Sequence, residues 1–275
     1  MTGLSKTAGK VEIRENEIFG TGGGRDLSCD VFLPPSDGKN RIGILLIHGG
    51  AWMQGDKSQL RAYGVQLARY GFVTVCSEYR LSGEAPWPAQ IHDCKAALRW
   101  MRANANSLGI DPDRIAVSGN SAGAHLALLL AGTPNESEFE GEGGNADLTT
   151  SVNAVVAIYP PTRLKGGDQL DTAIGLLFGD PKVSQAVQDR ASPMTWSQQN
   201  FPPTMLVHGN NDEIVPVSET LNMYDQLRKD GAKVEMHIYE GAPHAFDREP
   251  DFFKQLENMI ALFVDRQLSR PRFSI

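Results

Sequence analysis

Residues 119–123 read Gly119-Asn120-Ser121-Ala122-Gly123. Arg114–Ser118 before them reads as a strand, and Ala122–Ala131 after them as an apolar helix of small residues. A G-x-S-x-G turn between strand and helix presents a nucleophilic serine. The turn is so tight that the residues two before and two after the serine must be small. The serine is forced into a strained conformation with its hydroxyl above the sheet. The N-terminus of the following helix brings a positive dipole to developing negative charge. A serine hydroxyl is a weak nucleophile near neutral pH. It needs an imidazole to take its proton and a carboxylate to fix the imidazole's tautomer. His244, in Gly241-Ala242-Pro243-His244-Ala245-Phe246, is the expected base. Asp212, in His208-Gly209-Asn210-Asn211-Asp212-Glu213-Ile214-Val215-Pro216, is the expected acid. Each lies just past a strand-like segment, where open α/β sheets place their sites.

Attack on an acyl carbon leaves negative charge on the former carbonyl oxygen. Backbone N–H groups aimed at that oxygen each contribute about 2.7–4 kcal/mol to the transition state. His48-Gly49-Gly50-Ala51-Trp52 follows the apolar run Ile42–Ile47, and its glycines let the loop curl so that its amides point inward. Gly50 and Ala51 are the expected donors, with the N–H of Ala122. The ring of His48 is expected to brace the loop. Trp52 adjoins it and is the first candidate for lining a substrate pocket, ahead of Trp87, Phe178 and Trp196.

Glu213 neighbours Asp212, but Asp212 follows the strand-end turn and leads into the Val-Pro step of the next helix. His92, His125, His208 and His237 read as structural. Asp93 opens a helix and suits an ion pair with Arg80. No zinc spacing such as H-E-x-x-H occurs, nor a phosphate-binding G-x-x-x-x-G-K-[ST]. Gly22-Gly23-Gly24 precedes an edge strand rather than a helix. No metal and no cofactor are expected.

Strand-like and helix-like segments alternate along the chain. Val11–Phe19 and Ser28–Leu33 read as an antiparallel pair. Ile42–Ile47, Phe72–Ser77, Arg114–Ser118, Val152–Tyr159, Thr204–His208 and Val234–Tyr239 read as further strands. Helices are expected at about Gln59–Tyr70, Ala122–Ala131, Val217–Asp230 and Phe252–Gln267. The clearest spans Ile91–Leu108, where Ile91, Cys94, Leu98, Met101, Ala105 and Leu108 form one stripe. The alternation predicts an α/β fold: a mostly parallel central sheet, helices on both faces and an antiparallel N-terminal edge. Thr133–Thr150, acidic and Gly-rich, reads as a solvated loop. Pro160–Phe201 is too long for a plain connection and reads as a lid-like insertion. Its apolar Asp171–Phe178 segment suits a lid or a homodimer contact. The expectation is a single domain over 1–275.

The 275 residues carry 26 Lys and Arg against 33 Asp and Glu, a net charge of −7. That balance argues against nucleic acid and against an anionic membrane surface as partners. No run approaches the ~18 apolar residues of a membrane span. The first residues lack the apolar stretch of a signal peptide. Cys29, Cys76 and Cys94 are odd in number and far apart, which suits reduced structural thiols and a cytoplasmic location.

In these motifs and their order Ser121, Asp212, His244, the chain resembles the α/β-hydrolase superfamily from about Ser28 to Gln267. HGGAW, PWPAQIHDCKAALRWMRANA, GNSAGAHLA, EFEGEGG, HGNNDEIVP and YEGAPHAF together resemble the bacterial bifunctional acetylxylan/feruloyl esterase-like carboxylesterases. The chain is also similar to hormone-sensitive-lipase-like esterases and, through HGGAW, to kynurenine formamidases. Ala51 and Asn120 depart from the H-G-G-G and G-D-S-A-G of the lipase-like group, which favours the acetylxylan/feruloyl-like branch. The resemblance implies a serine carboxylesterase acting on short-chain acyl esters, with acetyl or feruloyl esters of carbohydrates among its substrates. An arylformamidase is the alternative. A non-catalytic binding protein on the same fold is less favoured, because Ser121, Asp212 and His244 are all present.

Overall fold

The computed structural model describes residues 4–35, 40–134, 136–165, 170–180 and 182–269. Eight strands are defined: β1 Glu12–Gly22, β2 Arg25–Leu33, β3 Gly43–Ile47, β4 Val73–Ser77, β5 Ile115–Asn120, β6 Ala154–Ile158, β7 Thr204–Gly209 and β8 Val234–Tyr239. They pair in the order β1-β2-β4-β3-β5-β6-β7-β8. β1 and β2 form an antiparallel hairpin, and β2 pairs antiparallel with β4. All later pairs are parallel. The expected mostly parallel sheet with an antiparallel edge is therefore present. The hairpin closes through Gly23 and Gly24 at φ 60° and 83°, the two-residue turn whose backbone requires positive φ.

Nine helices accompany the strands among the described residues. They are α1 Arg61–Arg69, α2 Ala89–Ala103, α3 Ala105–Leu108, α4 Ala122–Gly132, α5 Ser137–Glu140, α6 Asp171–Phe178, α7 Gln185–Arg190, α8 Ser218–Lys229 and α9 Pro250–Leu268. α1 and α9 bury Leu67, Leu256, Ile260 and Val264 against one face of the sheet. α2, α4 and α8 bury Leu98, Leu126, Leu128 and Met223 against the other. β3 shows why its sequence is apolar throughout: Ile44 and Leu46 enter the first core, Leu45 and Ile47 the second. None of these helices is long and apolar enough to cross a membrane.

Two expectations need correcting. The helix over Ile91–Leu108 is broken at Asn104, which sits at φ −99°, ψ 15° while its backbone N–H and its side-chain Nδ2 both donate to the Trp100 carbonyl, at 3.0 and 2.9 Å. The apolar stripe nevertheless stays buried through the break. The acidic stretch 133–150 is not a free loop. Lys95 and Arg99, both buried on α2, bond Glu140 at 2.7 and 2.9 Å, and Thr150 Oγ1 donates to the same carboxylate at 2.7 Å. Arg102 donates to the carbonyls of Thr149 and Ser151. One carboxylate of the loop, Glu140, thus answers two cations of α2, and the loop's carbonyls answer a third.

Residues 166–169 and 181 of the 160–201 insertion lie outside the described residues. The rest contributes α6, α7 and a 3₁₀ turn at Pro193–Trp196. It is tied back by Trp87 N–H to the Leu177 carbonyl at 2.7 Å and by His125 Nε2 to the Ala191 carbonyl at 2.8 Å.

Candidate active site

β5 ends at Asn120 and α4 begins at Ala122, so Ser121 alone makes the turn. Its backbone sits at φ 53°, ψ −122°. A non-glycine residue held at positive φ is strained and persists only where its surroundings fix it. Those surroundings are specific. The Ser121 N–H donates to the Ile158 carbonyl at 2.9 Å. A Cβ on Gly119 would lie 2.4 Å from the Gly123 backbone, and one on Gly123 would lie 2.0 Å from the Ile47 carbonyl oxygen. The two glycines of the motif are therefore steric requirements, as the sequence predicted.

The other expected residues converge on this turn. Ser121 Oγ lies 3.0 Å from His244 Nε2, and His244 Nδ1 lies 2.6 Å from Asp212 Oδ2. The remaining oxygen of Asp212 accepts from the N–H groups of Ile214 and Val215 at 2.9 and 2.8 Å. The carboxylate has no exposed surface. Burial pushes its pKa up, but bonds from His208, His244 and the Val215 N–H outweigh that and hold it well below the usual carboxylate range. It is an acceptor only, so His244 carries its proton on Nδ1 and offers the lone pair of Nε2 to Ser121. Glu213 is exposed beside it and takes no part.

The loop after β3 lies against this strand-to-helix turn, the elbow. A Cβ on Gly49 would sit 2.8 Å from the Asn120 carbonyl oxygen and 3.2 Å from Ser121 Cβ. Gly50, Ala51 and Trp52 follow at φ 115°, 52° and 59°. Met53 and Gln54 N–H both donate to the Gly50 carbonyl, at 3.0 and 3.1 Å, closing the turn. Ala122 is the first residue of α4, so its N–H has no partner in the helix. His48 braces this loop as expected. It is buried, stacks on Tyr79 at 4.3 Å, and holds the Gly49 carbonyl at 2.7 Å.

Trp52 departs from expectation. Its side chain has no exposed surface, so it cannot line a pocket that substrate enters. Positive φ at Ala51 and Trp52 turns the indole inward onto His125. Trp87, Phe178 and Trp196 are half-buried. Trp87 meets Phe139 at 5.7 Å and Phe178 at 6.3 Å, and Phe139 meets Trp196 at 5.8 Å, making one aromatic cluster.

Two supports lie behind Asp212 and His244; the sequence read His208 only as structural and carried no signal for the second. His208 Nε2 lies 3.2 Å from Asp212 Oδ2 and 2.9 Å from the Val215 carbonyl, both acceptors, so it donates there while Thr220 Oγ1 donates to Nδ1 at 2.7 Å. Its place four residues before Asp212 was the available hint. Behind His244, the ring of Tyr159 lies 4.6 Å away. Tyr159 Oη accepts from Asn120 Nδ2 at 3.2 Å and donates to Asp247, which also accepts from Tyr63 at 3.4 Å. Burial raises the Asp247 pKa against the lowering effect of those hydroxyls. The residue before the serine and the loop that carries the histidine are thereby joined through one carboxyl group.

A hydroxyl, an imidazole and a buried carboxylate in this geometry can deprotonate the hydroxyl as it attacks an acyl carbon. Among the described residues no cluster of three or more His, Cys, Asp or Glu side chains could hold a metal ion.

The sequence pattern of the BD-FAE family matches residues 29–227. The chain is 37% identical over 216 residues to a probable carboxylic ester hydrolase, LipM, of Mycobacterium tuberculosis, covering 74% of this chain and 49% of that protein. It is 33% identical over 214 residues to the esterase LipC of the same organism, covering 74% of this chain and 53% of LipC. The chain thus spans about half the length of these curated relatives. Among solved structures, a truncated carbohydrate esterase from gut microbiota superposes with a TM-score of 0.82 at 24% identity, covering 96% of this chain and 98% of that one. That likeness establishes the α/β-hydrolase fold.

Proposed function

The chain belongs to the BD-FAE family, and from that membership we propose that it is a serine carboxylesterase working through Ser121, His244 and Asp212. The observation that carries this reading is the pair of contacts from Ser121 Oγ to His244 Nε2 at 3.0 Å and from His244 Nδ1 to Asp212 at 2.6 Å. Its likeness to a carboxylic ester hydrolase and an esterase supports the same reaction class.

Ser121 Oγ attacks the ester carbonyl while His244 Nε2 takes its proton. The carbonyl oxygen becomes an oxyanion and meets the N–H groups of Gly50, Ala51 and Ala122. Asp212 stays ionised and stabilises the imidazolium. His244 then protonates the leaving alcohol as the C–O bond breaks. Water, deprotonated by His244, attacks the acyl-enzyme through the same oxyanion and releases the acid. The substrates are short-chain acyl esters, with acetyl or feruloyl esters of carbohydrates the natural class to try first.

Hydrolysis of p-nitrophenyl esters from acetate to decanoate, with Ser121→Ala alongside, tests this. Turnover that peaks at short chains and falls by at least about 10⁴-fold in Ser121→Ala is expected. Wild-type protein inert on these esters but active on N-formylkynurenine would make it an arylformamidase. Tight binding of an ester without turnover would make it a binding protein.

A further inference from the structure

Trp52 adjoins the oxyanion loop, yet it lies wholly inside the molecule. Its one polar atom, Nε1, donates to His125 Nδ1 at 3.2 Å, and the two rings meet edge to face at 5.1 Å. His125 on α4 is equally buried, and its Nε2 lies 2.8 Å from the Ala191 carbonyl oxygen. Indole N–H is a donor only, so Nδ1 must be the accepting nitrogen and Nε2 must carry the hydrogen. The chain Trp52–His125–Ala191 is therefore fully satisfied with a neutral imidazole of one tautomer. Burial keeps that imidazole neutral, with its pKa pushed down to about 4.

The backbone on which Trp52 sits explains what such a tether does. Gly50, Ala51 and Trp52 hold positive φ in succession, and two of them carry side chains. L residues stay in that region only where the surroundings over-determine it. The Trp52 carbonyl accepts from Ser82 N–H at 2.8 Å, which fixes one side of the peptide. The indole, locked to His125, fixes the other. The amides of Gly50 and Ala51 lie between these anchors and the elbow.

We propose that Trp52 and His125 are positioning residues that hold the Gly50 and Ala51 amides at the oxyanion, without touching substrate. The assignment rests on the esterase reading and deepens it. Through Ala191 the brace reaches into the 160–201 insertion, so the oxyanion loop and that segment share one internal support.

The test uses Trp52→Phe, which keeps bulk but removes the donor, with His125→Leu and His125→Asn. The full chain is assayed with p-nitrophenyl acetate, and each variant is checked for a wild-type melting transition. Inhibition by an aryl trifluoromethyl ketone is measured in parallel. Ser121 adds to that carbonyl, its proton passes to His244, and the resulting hemiketal oxyanion occupies the hole. Trp52→Phe and His125→Leu should each lower kcat about 10–100-fold with KM within twofold. The inhibition constant of the ketone should rise by the same factor. His125→Asn, which returns an acceptor near Nδ1, should recover most of the loss. The two ablations approach the bond from opposite ends, so misfolding of either leaves the other decisive.

A folded Trp52→Phe with wild-type kcat and ketone affinity overturns the proposal. So does a rise in KM alone, which would mean that Trp52 reaches the substrate. Loss of kcat with unchanged ketone affinity also overturns it. These outcomes leave an active wild type and the esterase reading intact. A wild type that turns over no ester overturns both.

Discussion

Asp212 and Glu213 are adjacent carboxylates, and a one-residue difference places one under the imidazole and the other in solvent. The turn after β7 decides this. The N–H groups of Ile214 and Val215 fold back onto Asp212 Oδ1 and leave Oδ2 for His244. Asp212→Asn presents an amide where the Nδ1–H of His244 needs an acceptor. Turnover should fall on the order of 10⁴-fold. Glu213→Gln should stay near wild type in the same steady-state assay, and the reverse result would move the acid to Glu213. At this scale the sequence picked out Ser121, His244 and Asp212, which the structure brings into contact, because each motif encodes its own local turn. It misplaced Trp52, because which way an indole points depends on three consecutive φ values rather than on residue type.

Among the elements, the elbow is where sequence and packing meet most tightly. Gly123 allows α4 to approach β3 so closely that a methyl group would overlap the Ile47 and His48 carbonyls. Gly123→Ala should therefore cost about 1–3 kcal/mol of stability. It should also lower kcat, because the helix that carries the Ala122 N–H must back away. Thermal melts and p-nitrophenyl acetate turnover read the two effects separately. Strands β3 to β8 and helices α1, α4, α8 and α9 were legible within two residues, since hydrophobic period follows burial directly. β1 and β2, by contrast, run three residues further into their shared turn, and the short α5, α6 and α7 were not read as helices. The break at Asn104 was not legible, because a side chain bonding its own helix leaves the apolar stripe intact. The docked acidic loop was also missed. Its partners Lys95, Arg99 and Arg102 lie some 40–50 residues away on α2, and no local pattern pairs them.

For the molecule as a whole, buried ionisable groups set the response to acid. His125 titrates near 6.5 when unfolded and at about 4 when folded. Between those values the unfolded chain binds more protons, so stability falls as pH drops. The loss at full protonation is on the order of 3 kcal/mol. His48, also lowered by burial, acts in the same direction. Asp212 adds a loss at lower pH, since its stabilising contribution holds above its unfolded value and disappears as its depressed folded value is approached. The melting temperature should decline from pH 6.5 to pH 4. In His125→Asn, which has no such proton to bind, the decline should be shallower. Equal slopes in the two proteins would show that His125 is not held neutral.

The strand–helix alternation, the tight turn around Ser121, and Asp212 and His244 as its candidate partners could all be read along the chain. These follow from short-range rules: hydrophobic period, the space a turn allows, and residue types that acyl transfer requires. What lies behind them emerges only in the folded packing. That packing brought His208 under Asp212, joined Asn120 to Asp247 through Tyr159, and turned Trp52 inward onto His125. Those contacts join residues whose polar atoms found their partners only when distant elements closed over them, and burial made each unmet donor or acceptor costly.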